Sequence, residues 1–261
     1  MGAWRWTGET YAPCDSLPIS DRGFRYGMSL FETIRIRRSR PLFLEEHLRL
    51  LKEACRQRRF ALDLRALAAA GVALAQEPDG VARLYVTAGD GPLSGSGAPE
   101  PRLFILGEER PDPALTRCRL TIARETHTPP FGGLKTGNYW SHADALQTAV
   151  ESGCDEALLF NENSELVSAA TANVFVVRGS EVATPSLACG ARDGVTRAWV
   201  MRQLKVNACS LFLKDLLTAD AIFLTNSWYG VLPVSSLNDR PVPAHEIGDR
   251  LARQFQEAIS D

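Results

Sequence analysis

The sequence predicts an α+β protein in two halves, residues 1–111 and 112–261. Three observations point there. Stretches with the two-residue period of strands and stretches with the 3.6-residue period of helices follow one another without the regular alternation of a parallel βαβ sheet. The run Arg110-Pro-Asp-Pro113 sets two prolines where no regular element continues. A length of 261 residues suffices for two modest cores.

In the first half, Leu30-Phe-Glu-Thr-Ile-Arg-Ile-Arg37 alternates apolar with polar side chains and reads as a half-buried strand. Leu44, Leu48, Leu51 and Cys55 recur at threes and fours, predicting an amphipathic helix over 44–58. Residues 81–87 alternate again, and Arg102-Leu-Phe-Ile-Leu106 reads as a buried strand. Between them, 89–101 has the glycine, serine and proline content of a flexible loop. It lacks the Gly-Lys-Ser/Thr ending of a phosphate-cradling loop.

In the second half a strand is expected near 118–124, followed by the glycine-containing segment Phe131-Gly-Gly-Leu-Lys-Thr-Gly-Asn-Tyr139. A helix comes next, with Tyr139, Ala143, Leu146 and Val150 on one stripe and Gly153 as its stop. Strands are expected at 156–160, 173–178 and 181–184, a helix over 195–204, a strand at 221–225 and a last helix over 245–259.

Composition narrows the function. Apolar residues make up 45% and charged residues 23%, ordinary for a globular protein. A net charge of -2 gives no electrostatic reason to expect nucleic acid or an acidic membrane as partner. Apolar runs such as Glu156-Ala-Leu-Leu-Phe160 fall far short of the roughly 20 residues that a bilayer demands. Met1-Gly-Ala-Trp-Arg-Trp6 has no apolar core of the signal-peptide kind, so a cytoplasmic protein acting on a small molecule is expected. The six cysteines are scattered without a Cys-x-x-Cys pair and the four histidines are dispersed, so no metal is expected. The cysteines read as small buried apolar side chains.

Only four lysines stand against twenty-five arginines. Lys52, Lys205 and Lys214 read as solvated surface charges. Lys135 lies between Gly133 and Gly137, where backbone freedom allows close approach to a ligand. A lysine amine kept neutral attacks carbonyls and forms Schiff bases; a loop lysine in water is the other reading of the local sequence.

Larger patterns distinguish the two. Lys135-Thr-Gly-Asn-Tyr139, Gly153-Cys-Asp-Glu-Ala-Leu-Leu159, Ala172-Asn-Val-Phe-Val176, Thr184-Pro185 and Gly194-Val-Thr-Arg197 occur in that order. Asp21-Arg-Gly-Phe-Arg-Tyr-Gly27, Phe31-Glu-Thr33 and Glu46-His47 precede them; Phe223-Leu-Thr-Asn-Ser227 and Pro233-Val234 follow. In order and spacing the set resembles the class IV pyridoxal-phosphate family of branched-chain aminotransferases, D-amino-acid aminotransferases and 4-amino-4-deoxychorismate lyases. The resemblance implies a two-domain D-amino-acid aminotransferase-like fold, a homodimer, and pyridoxal 5'-phosphate held by Lys135 as a Schiff base. It implies a hydrogen bond from Tyr139 to the cofactor's phenolic oxygen, although Tyr139 reads equally as a core aromatic. It also implies a phosphate-binding turn at Gly194, Val195 and Thr196, with the Ser227 hydroxyl also on the phosphate. Thr33 and Arg35 would face the substrate; a surface strand edge also accounts for Arg35.

Two residues depart from the pattern. Ser168, five before Asn173, stands where the family has a glutamate beneath the pyridine nitrogen, a carboxylate that keeps that nitrogen protonated. Leu50, three after His47, stands where the family has a phosphate-gripping arginine. Its loss removes a charge-assisted contact of roughly 1.5–3 kcal/mol. Arg49 points about 100° away on an ideal helix; Arg22 and Arg25 are other replacements. Ser168, the chain length and the Thr225-Asn-Ser227 ending favour an aminodeoxychorismate lyase yielding 4-aminobenzoate and pyruvate. An aminotransferase for branched-chain or D-amino acids and a degenerate non-catalytic member are the alternatives.

Overall fold

A computed structural model describes residues 2–94 and 100–260. Within the expected loop at 89–101, positions 95–99 lie outside the described residues. The chain divides into two compact units. The first comprises Met1–Asp112 together with Lys135–Asn138, the second Pro113–Leu134 and Tyr139–Asp261.

The first unit is a six-stranded antiparallel sheet with three helices. Its strands are β1 (Ala3–Trp6), β2 (Tyr11–Pro13), β3 (Ser29–Arg37), β4 (Arg40–Pro41), β5 (Gly80–Thr87) and β6 (Arg102–Glu109), in the order β2-β1-β6-β5-β3-β4. Helices α1 (Arg22–Tyr26), α2 (Leu44–Gln57) and α3 (Leu64–Leu74) complete it. The alternation on β3 resolves into two faces. Leu30, Ile34 and Ile36 are buried with Leu51 and Cys55 of α2 in the core, while Phe31, Thr33 and Arg35 share the opposite face. Glu32 belongs to the helix side, where its carboxylate meets His47 Nδ1 of α2 at 2.9 Å with both side chains buried. This pair fixes α2 on the sheet and accounts for the Phe31-Glu-Thr33 and Glu46-His47 motifs as scaffolding.

The Asp21–Gly27 motif is scaffolding too. Asp21 is fully buried, caps α1 by accepting from Gly23 N at 2.7 Å, and meets Arg102 and the Thr87 hydroxyl at 2.8 Å each. Gly27 ends α1 at φ 66, the left-handed conformation that favours glycine.

The second unit is a curled mixed sheet. Its elements in chain order are β7 (Cys118–Ile122), β8 (Pro130–Gly133), α4 (Trp140–Glu151), β9 (Glu156–Phe160), β10 (Leu166–Ala169), β11 (Asn173–Arg178), β12 (Glu181–Pro185), α5 (Val195–Gln203), β13 (Val206–Cys209), α6 (Leu213–Leu217), β14 (Ala221–Asn226), β15 (Gly230–Leu237), β16 (Arg240–Pro241) and α7 (Glu246–Ala258). The strand order is β10-β9-β7-β15-β14-β11-β12-β13, with β16 on β15. The β9–β7, β7–β15 and β12–β13 pairs are parallel and the others antiparallel. Cys118, Leu120, Leu158, Val174, Val176, Ile222, Leu224, Leu232 and Val234 form its main core, and α4 closes a second one over Ala157, Leu159 and Val167.

The expected stripe on α4 is corrected. Ala143 and Val150 are exposed, and the buried side is Ala145, Thr148 and Ala149. Small side chains let this helix lie close on β9, and of the expected stripe only Leu146, half-buried, packs against this core. The cysteines divide: Cys55, Cys118 and Cys189 are buried, whereas Cys14, Cys154 and Cys209 are half-buried, and all are free thiols. Among the described residues no helix is long and apolar enough to cross a membrane, and no group of three or more His, Cys, Asp or Glu side chains could hold a metal ion.

Candidate active site

The candidate residues fall into one set on each unit. On the first, Lys135–Asn138 lies along the start of β3. Phe31 N donates to Lys135 O and Gly137 N to Ser29 O, each at 3.0 Å, and Leu30 bridges Thr136. This backbone pairing fixes where the lysine side chain leaves the chain. Lys135 Nζ lies 4.5 Å from the centroid of the Phe31 ring, which stacks on Tyr85 at 5.0 Å. The aromatic pair forms a floor that limits where the amine swings. Lys52, Lys205 and Lys214, in contrast, are exposed.

The role expected of the flanking glycines is corrected. A Cβ at Gly137 would collide with Ser29 Oγ, and one at Gly133 would run into the backbone of Ala191 and Arg192. Both glycines serve close packing of the chain on itself; the left-handed φ in this segment belongs to Gly132.

Thr33 and Arg35 lie on the same face of β3 as Phe31. Thr33 is half-buried, whereas Arg35 is 2% exposed and ion-paired with Asp112, so the surface-edge reading of Arg35 fails. Opposite Thr33 in the register stands Arg83, paired with Glu108 at 3.0 Å. It is a second cation on this face, which the alternation of 81–87 could have shown.

On the second unit, separate sequence motifs converge at the start of α5. The Asn173 side chain donates to Arg192 O at 2.8 Å, the Thr184 hydroxyl to Val174 O at 2.8 Å, and Arg197 Nη2 to Pro185 O at 3.3 Å. Gly194 is the N-cap; it carries no side-chain cap bond, and no acid occupies the first turn. The amides of Val195 and Thr196 belong to that turn, whose N–H groups have no intrahelical acceptor. A Cβ at Gly194 would fill the space taken by Asn173 Oδ1. Asn173 pairs with Thr225 across β11 and β14, so their side chains share a face. The Thr225 hydroxyl is buried and has no hydrogen-bond partner among the described residues. Arg197 is also buried; desolvation pulls its pKa down, opposed by the Asp193 carboxylate at 3.4 Å, and its Nε has no hydrogen-bond partner among the described residues. Uncapped amides at a helix start, an unsatisfied buried hydroxyl and a nearby guanidinium favour an anion, and a phosphate fits this donor set. Ser227 follows Thr225 and Asn226 at the end of β14 and is half-buried. Sequence reasoning chose Gly194, Val195, Thr196 and Ser227 but passed over Asn173 and Thr225, although both stood in quoted motifs.

Ser168 is half-buried on β10, two residues before Ala170. The nearby Glu156 carboxylate is engaged elsewhere: it accepts from Thr171 N at 3.2 Å and from the Thr171 hydroxyl. Burial pushes this carboxyl up to about 7 despite those bonds. Tyr139 is the N-cap of α4 and half-buried, with its ring stacked on His142. The helix-stripe reading of Tyr139 therefore fails.

Of the replacements considered for the arginine missing at Leu50, Arg22 is buried and donates to the carbonyls of Ala88 and Gly89. Arg49 and Arg25 are exposed, and Arg25 lies over the Tyr26 ring.

A lysine on an aromatic floor suits a carbonyl-bearing cofactor, and an uncapped helix start suits a phosphate. The profile of the amino-transferase class IV family matches residues 29–237. The structure resembles that of 4-amino-4-deoxychorismate lyase from Pseudomonas aeruginosa, with a TM-score of 0.88 and 30% identity over 99% of this chain and 100% of that one. The sequence is 26% identical to aminodeoxychorismate lyase of Bacillus subtilis over 84% of this chain and 80% of that one. It is 24% identical to D-alanine aminotransferase of Bacillus licheniformis over 94% of this chain and 91% of that one. The chain belongs to the class IV aminotransferase family, with its two-domain α+β fold, and is a pyridoxal-phosphate-dependent enzyme.

Proposed function

We propose that this enzyme is a lyase that converts 4-amino-4-deoxychorismate to 4-aminobenzoate and pyruvate, a step of folate biosynthesis. Ser168 carries the reading: a neutral hydroxyl occupies the position where the family pattern has a carboxylate. When bound, pyridoxal phosphate supplies an electron sink for a carbanion at the amine-bearing carbon of the substrate. A carboxylate at 168 would keep that sink fully protonated, which amino transfer requires more than loss of a leaving group does. The likeness to two lyases, over 99% and 84% of this chain, supports the same choice.

In this reading Gly194, Val195 and Thr196 hold the phosphate through backbone amides, with the Ser227 hydroxyl as a further ligand. Tyr139 donates its phenol hydrogen bond to the cofactor's phenolic oxygen. Lys135 holds the cofactor and then takes the proton from the amine-bearing carbon. Thr33 and Arg35 face the substrate, Arg35 offering a guanidinium to its carboxylate. The enolpyruvyl group would then leave with its C–O electron pair as the enolate, which takes up a proton at its methylene carbon to give pyruvate. The protein is proposed to work as a homodimer in the cytoplasm; sedimentation equilibrium and cell fractionation test those two points.

The second reading, an aminotransferase for branched-chain or D-amino acids, draws on the likeness to D-alanine aminotransferase. Pyruvate release from aminodeoxychorismate without any amino acceptor decides between them. Amino exchange with a 2-oxo acid and no such release would overturn the lyase. Replacing Lys135 with alanine abolishes turnover and borohydride-fixed cofactor; survival of either refutes the role of Lys135.

A further inference from the structure

One side-chain cluster of the second unit adds two histidines to Tyr139. Tyr139 and His142, three residues apart at the start of α4, stack with ring centroids 4.2 Å apart and planes 17° apart. His142 Nδ1 lies 2.7 Å from the carbonyl oxygen of Ala170. A carbonyl only accepts, so Nδ1 carries the hydrogen and the ring orientation is set by the backbone. The His127 ring meets that of His142 in an edge arrangement, with centroids 4.7 Å apart and planes 65° apart. His127 is itself tied down, its backbone N–H donating to Phe160 O at 2.8 Å, and it is half-buried. Three rings thus run from the segment after β7, through α4, to the turn at Ala170 between β10, which carries Ser168, and β11, which begins at Asn173.

We propose that His142 is a positioning residue for Tyr139, holding the phenol in the one orientation from which it donates to the cofactor. The physical need is specific. Tyr139 sits at the N-cap of α4 with φ -102 and ψ 11, where the helix ladder fixes its backbone but leaves the direction of its ring to its neighbours. An imidazole face sets that direction, and the imidazole is anchored to the backbone of the β10–β11 turn at Ala170. Stacking in this range adds attraction beyond burial, while the bond to Ala170 converts it into a fixed direction. The inference rests on the proposed cofactor role of Tyr139.

Two variants separate the parts. His142→Phe keeps a stacking ring and loses the bond to Ala170; His142→Asn keeps a donor for Ala170 and loses the ring. Each is compared, as holoenzyme, with wild type and with Tyr139→Phe by the visible band of the bound cofactor and by kcat and KM separately. The expected result is a band shifted in the direction of Tyr139→Phe, with kcat down about tenfold and KM changed less than about twofold. In the double variant Tyr139→Phe/His142→Phe the losses should not multiply, since both act through one phenol. An unmoved band in either soluble variant, or losses that multiply, overturns the positioning role. Should His142→Phe not fold, the band of His142→Asn decides. A wild-type protein without any borohydride-fixed cofactor would instead overturn the functional reading on which the proposal stands.

Discussion

Replacing Glu156 with glutamine keeps the shape of a side chain that is 5% exposed and removes its charge. In the folded chain this carboxyl holds its proton up to about 7, because burial outweighs the hydrogen bonds from Thr171; unfolded, it titrates near 4.5. Between those values the folded state binds more protons than the unfolded state, so this group makes stability fall as pH rises. The contribution of the neutral acid is complete below about pH 4.5 and is lost as pH passes through about 7. A tenfold change in proton affinity is worth about 1.4 kcal/mol, so the whole effect is about 3 kcal/mol. Glutamine cannot ionise. It still offers an acceptor to Thr171, and its amide adds an offset that does not vary with pH. Urea denaturation followed by tryptophan fluorescence, at steps from pH 4.5 to 7, should show Glu156→Gln gaining about 3 kcal/mol on the wild type across that window. Parallel stability curves would show that Glu156 stays ionised in the fold and would refute the reasoning.

Gly194→Ala introduces a Cβ against Asn173 Oδ1 at a backbone conformation (φ -77) that alanine accepts, so the damage is local. Titration of the apoenzyme with pyridoxal phosphate should show affinity down about tenfold, and unchanged affinity would remove the start of α5 from the phosphate site. Ser168→Glu should raise amino transfer to a 2-oxo acid relative to pyruvate release by roughly tenfold; an unchanged ratio would mean that position 168 does not act on the ring. Asp21→Ala strips the buried partner from Arg102, Thr87 and the Gly23 amide. A loss of about 3 kcal/mol in chemical denaturation is expected, and a loss under about 1 kcal/mol would show that the network relaxes around the gap.

Much of the secondary structure was legible because burial imposes a period. Residues 30–37, 156–160 and 173–178 read correctly as strands, and 44–58 as the helix that lays Leu51 and Cys55 on the sheet. What escaped was short or ambiguous. β1 and β2 have four and three residues, too few for alternation to count. α3 is rich in alanine and apolar nearly all round, which hides its face, although Asp63 at its N-cap was a usable signal. β15 contains Pro233, which reads as a strand breaker. The turn after it, Asn238-Asp239 with both φ positive, is a hairpin signal in plain sight. The candidate site was legible as a set of motifs. Their convergence was not, since the bond from Asn173 to Arg192 and that from Arg197 to Pro185 depend on pairings that no local pattern records. The same holds for the packing of Gly133 and Gly137, whose close neighbours lie far away in the chain.

The excursion of Lys135–Asn138 has a consequence for anyone who would treat the halves as interchangeable parts. A cut after Asp112 would leave the first piece without the four residues that run along Ser29–Phe31, and the second would carry Lys135 on a loop that has lost this strand. Chimeras with relatives should therefore inherit residues 27–31 and 135–138 from a single parent. Shuffled libraries that split these stretches between parents should be depleted of active clones, whichever substrate is selected for.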